Sequence, residues 1–402
     1  MSWAEISIAD IGRIVTGDTP PKKNPAFYGN AYPFIKPTDM TVGQRITTNY
    51  EAGYSLEGFQ KYRNKLIRAG STAVVTIGSI GQKLTFLQND GFVNQAVNAI
   101  IPNTDKFNDL YVYYLLKHNL GLVKQADTGA SSGRENVSKS NFSALKVWAC
   151  LDRNEQIRIT TILDGFDSLL EVNQSRIALL EESARLLYRE WFVKLHFPGH
   201  ELAKVVNGVP ERWELKPVSD FASLLSRGIT PKYDDLSKGL IINQKCIREG
   251  RLNLAPARHQ SKQVKQDKLV QIGDILINST GAGTLGRVAQ LRCEIADCTV
   301  DTHVTIVRPK LAKAIGFLGV ALLELAPVFE SMGRGATNQL ELGRADIANL
   351  KLLTPPEQLQ VDFHNIVWTT FEQVQVLIDS CNLLSETRDA LLPKLMSGQL
   401  AV

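Results

Sequence analysis

The sequence predicts an α+β protein with an internal pseudo-twofold repeat. Each half is a globular domain followed by one long, coiled-coil-like helix. Two observations predict it: five blocks occur twice in the same order, and each copy ends in apolar residues at heptad spacing. Trp3 to Lys22, WAEISIADIGRIVTGDTPPK, answers Trp213 to Lys232, WELKPVSDFASLLSRGITPK. GSTAVVTIGSIGQKLTFL from Gly70 answers GDILINSTGAGTLGRVAQL from Gly273, and FVNQAVNAIIP, ending at Pro102, answers TVDTHVTIVRP, ending at Pro309. GASSGRENVSKSNFSALKV from Gly129 pairs with GATNQLELGRADIANLKLL from Gly335, and EQIRITTILDGFDSLLE from Glu155 with EQLQVDFHNIVWTTFEQ from Glu357. Repeats of this length indicate repeated structural units. The join between them, FPGHELAKVVNGVPERW from Phe197 to Trp213, is broken by Pro and Gly.

The opening block of each half reads as an apolar-periodic, helix-like stretch after its Trp. The second block raises a question of chemistry. Gly281, Gly283 and Gly286 spell G-x-G-x-x-G after the apolar run DILIN, the pattern of a dinucleotide site. Its first-half counterpart, IGSIGQKLTFL, lacks the triplet, and RVAQL after Gly286 is β-like where a dinucleotide site needs a helix. Both segments therefore read as strand, glycine-bearing turn, strand.

The closing helices each begin at a capping box, Asp152 to Glu155 and Thr354 to Glu357, with Pro355 suited to the first helical position. In the first helix one seam is Leu163, Leu170, Ile177, Ala184 and Trp191, and the other is Ile159, Phe166, Asn173, Leu180 and Leu187. In the second, Val367, Val374 and Cys381 form one seam and Phe363, Leu377, Leu384 and Leu391 the other. A repeat of about 3.5 residues argues for lengthwise helix packing. Helices near 35 residues span roughly 50 Å. Asn173 and Arg388 interrupt the seams; each either fixes register or reaches solvent. Pro393 is expected to stop or bend the second helix. The tail beyond it either offers a docking surface or folds back on its own helix.

Bulk composition narrows the class. The 402 residues suffice for about two to three domains, and 44% hydrophobic with 21% charged residues describes folded rather than disordered chain. No apolar run reaches the roughly 18 residues of a membrane span, and MSWAEISIAD is not a signal peptide, so a cytoplasmic location is expected. The five cysteines form no C-x-x-C, and Cys293 and Cys298 have no paired His beside them, which argues against zinc. A net charge of +4 is mildly basic and permits an acidic partner such as nucleic acid. There is no amino-methylation box, no phosphate loop and no local His/Asp/Ser set.

RGITPKY after an opening Trp, TPPEQLQVDF before the long helix, LLYREWF with FPGHE at mid-chain, and the closing ETRDALLPKLMSGQL together resemble the specificity subunits of type I restriction–modification systems. The first half departs from the pattern in carrying CLDRNEQ where the family shows a proline pair. The resemblance implies target-recognition domains at 1–150 and, with the linker, 197–353. It implies spacer helices at 151–196 and at 354–402, the latter with a C-terminal docking segment, lying antiparallel and holding the domains apart. It implies a non-catalytic chain that reads a bipartite site in double-stranded DNA and assembles with two methyltransferase subunits and with restriction and translocation subunits. S-adenosylmethionine, ATP and magnesium would belong to those partners, with no cofactor, metal or catalytic residue in this chain. The rival readings are a non-DNA scaffold of two interaction modules and a nucleotide-binding enzyme using the Gly281 to Gly286 loop.

Base reading needs amides, hydroxyls, Arg and Lys held out on turns. In the first half the candidates are Thr19, Lys22, Lys23, Lys36, Gln82, Lys83, Asn94, Gln95, Ser131, Ser132 and Arg134. In the second they are Arg227, Thr230, Lys232, Asn243, Lys245, Asn278, Thr280, Arg287, His303, Arg334, Asn338 and Gln339.

Overall fold

The structure is a computed structural model and describes residues 3–127, 135–335 and 340–402. Ser131, Ser132, Arg134, Asn338 and Gln339 lie outside the described residues. The chain divides into two compact units. One comprises Met1–Val172 with Cys381–Val402, and the other Asn173–Ser380. Each unit thus contains part of both long helices, Arg153–Tyr188 and Glu357–Met396.

The repeat in the sequence is a repeat in topology. The first unit holds a four-stranded sheet in the spatial order Gly12–Thr16, Val97–Pro102, Thr72–Val75, Leu84–Phe86. The second holds Ala222–Arg227, Val304–Pro309, Ile275–Asn278, Val288–Gln290 in the matching order. All neighbours in both sheets are antiparallel. A three-stranded sheet accompanies each, containing one antiparallel and one parallel pair. The strand opening each half pairs with the strand leading to its long helix: Trp3–Ser7 with Lys146–Cys150, and Glu214–Pro217 with Lys351–Thr354. Both glycine-bearing segments are strand, turn, strand. Gly281, Gly283 and Gly286 take φ of 100, 75 and 78°, and Gly78 and Gly81 take 88 and 71°. Left-handed backbone is what glycine permits, so the triplet is explained by turn geometry.

The opening blocks are not helices. Trp3–Ser7 and Gly12–Thr16 are strands joined by the single turn Ile8–Ile11. Ile6, Ile8, Ile11 and Ile14 fit either period, and β-branched side chains favour the pleat. In the join, Val205–Val206 and Val209–Pro210 form a hairpin whose Asn207 and Gly208 both have positive φ, as an Asn-Gly turn requires.

The long helices run antiparallel within each unit. In the first, Arg158 Nε donates to Val402 O and Asp167 pairs with Arg388. In the second, Asn173 Nδ2 donates to Ser380 Oγ at 3.4 Å and Tyr188 lies on Phe363. Ile159 and Leu163 join Leu392, Leu395 and Met396 in the first unit's core, and Ala184, Tyr188 and Trp191 join Phe363, Val367 and Phe371 in the second's. One expected seam, Leu163, Leu170, Ile177, Ala184 and Trp191, is buried throughout. In the other, Ile159 and Asn173 are buried as expected, but two positions shift by one residue: Asp167 and Glu181 are buried while Phe166 and Leu180 are only half-buried. Remote arginines cause the shift. Arg388 holds Asp167, and Arg251 and Arg292 hold Glu181, so the inward positions are ionic. Asn173 is buried on Ser380 and Arg388 on Asp167, which settles both seam interruptions as internal contacts rather than solvent-facing ends. In the second helix Phe363, Val367, Val374 and Leu377 are buried as expected, Cys381, Leu384 and Leu391 only half so, and Phe371 and Leu392 take inner places.

The helix caps and the tail bring further corrections. Asp152 Oδ1 accepts from the Asn154 and Glu155 backbone N–H groups, as the first capping box requires, and the Glu155 carboxylate also accepts from Trp3 Nε1. Thr354 belongs to a strand and donates to Leu352 O, so the second box does not form; Pro356 O accepts the N–H groups of Leu359 and Gln360 instead. Pro393 does not stop the helix. It is solvent-exposed and lies in the last turn, where only one helical hydrogen bond is lost to its missing N–H. The tail folds back on its own unit, with Gly398 against the Trp3 ring and Val402 at the core.

Candidate nucleic-acid interface

Antiparallel pairing brings the ends of three strands together. Thr16 pairs with Asn98, Val75 with Val97 and Val74 with Leu84, so the turns beyond Thr16, beyond Val75 and before Val97 all lie at one end of the first sheet. Those turns carry Thr19, Gln82, Lys83, Asn94 and Gln95. The second sheet repeats the arrangement: Arg227 pairs with Thr305, Asn278 with Val304 and Ile277 with Val288. Arg227 ends its strand there, and the turns carry Thr230, Thr280, Arg287 and His303. Candidates scattered along the chain thus converge on the same sheet end in both units.

In the first unit Thr19 Oγ1 donates to Gln95 Oε1, joining two of these turns, while Gln82, Gln95, Lys22 and Lys23 are exposed. Asn94 uses its Oδ1 to accept from the Ala96 N–H at 3.1 Å, and Lys83 Nζ donates to Pro37 O at 2.8 Å. Lys36 is paired with Glu51 at 2.6 Å, which raises the lysine and lowers the carboxyl from their ordinary values. Its charge is already balanced within the unit.

In the second unit Thr280 Oγ1 lies 2.6 Å from His303 Nδ1, and both are presented at the surface. Asp301 Oδ1 accepts from the His303 backbone N–H at 2.8 Å, and burial raises the Asp301 carboxyl above its ordinary range. Arg227 Nη2 reaches Glu341 at 2.8 Å, and the Arg334 backbone pairs with Glu341 from the other side. Arg334 itself is 81% exposed, bonded at 3.1 Å to Asp346. Arg287 donates to Gly283 O at 2.6 Å, stiffening the glycine turn. Thr230, Lys232 and Lys245 are exposed.

Two candidates are misplaced as surface readers. Asn278 is fully buried and donates to Gln244 O, because it is the last residue of a central strand. Asn243 is spent on its own loop, donating to Pro256 O at 2.7 Å and accepting from the Lys245 N–H. Polarity alone could not separate these from exposed amides. The sequence reading also missed three arginines that fix the domains to the first long helix. Arg45 bonds Asp164 and Glu171, and burial and these carboxylates act on it in opposite directions, the carboxylates prevailing so that its value is raised. Arg251 and Arg292 divide the two oxygens of Glu181, and Arg292 lies over the Phe371 ring at 3.7 Å. Each pair is remote in sequence, so only buried carboxylates on an otherwise apolar face could have hinted at them.

No metal-holding group of His, Cys, Asp or Glu occurs among the described residues, and no described helix is long and apolar enough to cross a membrane. Burial pushes the thiols of Cys150 and Cys298 up to about 12, so both are protonated near neutral pH.

A family model described as the type I restriction modification DNA specificity domain matches residues 1–182. The type I restriction enzyme MjaIX specificity subunit of Methanocaldococcus jannaschii is 24% identical over 418 aligned residues, covering 100% of this chain and 94% of that protein. The chain resembles the type I specificity subunits along its whole length. The HindI specificity subunit of Haemophilus influenzae is 31% identical over 147 residues, which cover 36% of this chain and 31% of that protein. The crystal structure of a type I restriction–modification system S subunit from M. genitalium shares the fold, with a TM-score of 0.62 and 17% identity over 98% of this chain and 96% of that one.

Proposed function

We propose that this chain supplies the sequence reading of a type I restriction–modification complex and does not itself catalyse a reaction. Residues 1–150 and 197–353 act as two target-recognition domains, each reading one block of a bipartite duplex target with the turns at its sheet end. The single observation that carries the reading is the repetition of that polar sheet end in both halves of a chain that resembles type I specificity subunits. Two different readers in one chain fit a target of two unlike blocks, since Gln95 stands where the second half has Thr302 in its matching block. Phosphate contacts position such a protein and base-edge contacts give specificity.

The long helices present apolar side chains outward at heptad spacing: Leu179 and Leu186 are 71% and 50% exposed, and Val376 and Leu383 are 68% and 66% exposed. This stripe suits the methyltransferase subunits, two per chain given two recognition domains. Restriction and translocation subunits would join the full complex. S-adenosylmethionine, ATP and magnesium are assigned to those partners, and the complex to the cytoplasm. The test is the methylated motif. Co-expression with the methyltransferase subunits in an unmethylated host should yield one bipartite adenine-methylated motif that disappears when this chain is omitted. Methylation with the same motif in its absence would refute the reading.

A further inference from the structure

Within the second unit, the last turns of the first long helix line a cleft of about 670 Å³. Arg185, Arg189, Arg248 and Arg287 line it, against the two carboxylates of Glu249 and Glu324. The carboxylates are committed. Glu324 accepts from Arg189 at 2.6 and 3.2 Å, and Glu249 pairs with Arg248 at 3.1 Å. Arg185 has no such partner. Its acceptor one turn back would be Glu181, whose oxygens are already taken by Arg251 and Arg292. Among the described residues Arg185 therefore makes no hydrogen bond or ion pair, although it is half-buried. The position is shaped for it: at Gly250, with φ of 77°, an added Cβ would lie 2.8 Å from Arg185 Nη2.

The first unit has a comparable cleft, lined by Gly43, Gln82 and Lys117, with Lys117 at the helix position where the second has Leu323. It is smaller, about 330 Å³, and its arginine, Arg388, is spent on Asp167 and Asp389. The repeat thus keeps the cleft, but only the second unit leaves it with surplus guanidinium donors. The remaining lining, Val288, Leu323, Ala326 and Pro327, provides no deep apolar pocket to anchor a peptide. Planar, charged donors around an open cleft match a phosphate group, which guanidinium holds bidentately.

We propose that this cleft binds a backbone phosphate of the duplex without regard to sequence, with Arg185 and Arg248 as its donors. The inference rests on the proposed DNA-reading function. Its test uses the chain assembled with its methyltransferase subunits, binding target and non-target duplexes over a range of KCl. Arg185→Ala and Arg248→Ala should each lower the slope of log K against log salt by about one, equally for both duplexes. The methylated motif should stay the same, and Arg185→Lys should recover most of the slope. An unchanged slope in both alanine variants would overturn the proposal. Loss of assembly with an unchanged slope would overturn it too, in favour of an acidic segment of a partner subunit. Failure of the parent complex to bind any duplex would instead remove the DNA-reading function on which it rests.

Discussion

Arg388 of the second long helix donates to Asp167 Oδ1 of the first at 2.5 Å, and both side chains are at most 5% exposed. Tyr114 donates to the other carboxylate oxygen at 2.8 Å, so both oxygens of the buried acid are satisfied by protein. Removing one member strands the other charge in a poorly solvated place. Arg388→Met alone should destabilise the chain by about 3–5 kcal/mol, whereas Arg388→Met with Asp167→Leu should cost far less. Urea unfolding of both single variants and the double variant checks this, and a double loss equal to the sum of the single losses would show that the charges are not coupled.

Lys117 lies near the same pair and has the opposite problem. Its Nζ is buried without a hydrogen-bond partner, and burial lowers the ammonium below its ordinary value, with Asp167 opposing. Lys117→Met should therefore raise stability by about 1–3 kcal/mol near neutral pH. The unfolded lysine holds its proton more tightly than the folded one. Stability of the parent thus rises as pH passes upward through the folded value toward 10.5. The advantage of the variant should shrink over that same window. Thermal unfolding at several pH values reads it, and a gap that widens with pH would contradict the assignment.

These two sites show where sequence reading stops. The repeat was legible because matched blocks keep order, and the glycine triplet was legible as a turn because its first-half partner lacks it. One helix seam was legible from Leu163, Leu170 and Ile177. The second was not, since Asp167 and Glu181 occupy inward positions that an apolar pattern assigns to Phe166 and Leu180. What buries them, Arg388, Arg251 and Arg292, lies far along the chain. The sheet-end convergence of Thr19 with Gln95 and of Thr280 with His303 followed from strand pairing, which spacing alone does not specify. Asn278 failed as a candidate for the same reason, because its place at the end of a central strand buries it.

His303 and Thr280 make a discriminating target because they touch each other and reach the surface. His303→Ala should relax or weaken reading of one block of the motif, by roughly 1–3 kcal/mol at the base concerned. The other block should remain fully required. Methylation of a randomised duplex library by the assembled complex separates these outcomes, and equal loss at both blocks would argue against separate readers.

Modularity extends this to a whole domain. Exchanging Trp213 to Ala348 for the matching block of a type I specificity subunit should replace one block of the motif and keep the other. The segment runs from just before the strand Glu214–Pro217 to the end of the helix Arg344–Asn349, so the exchange leaves both long helices intact. A motif changed in both blocks, or in neither, would rule out the division of labour.

The final prediction concerns the bases between the blocks. If each domain reads its own block, the unread spacer should follow the length of the long helices that join them. A helix rises about 1.5 Å per residue, so four added residues lengthen it by about 6 Å, near two base steps of about 3.4 Å. Because Asn173 meets Ser380, lengthening only one helix would break the register of the pair. The insertion must be made in both, as second copies of Gln174 to Ile177 and of Val376 to Asp379. Four residues turn the helix about 40° beyond one full turn, so the seam is locally unwound and some stability is lost. The methylated motif of the surviving complex should keep both specific blocks and gain about one or two unread base pairs. An active double-insertion variant that methylates the original spacing would show that something other than the helices measures the distance.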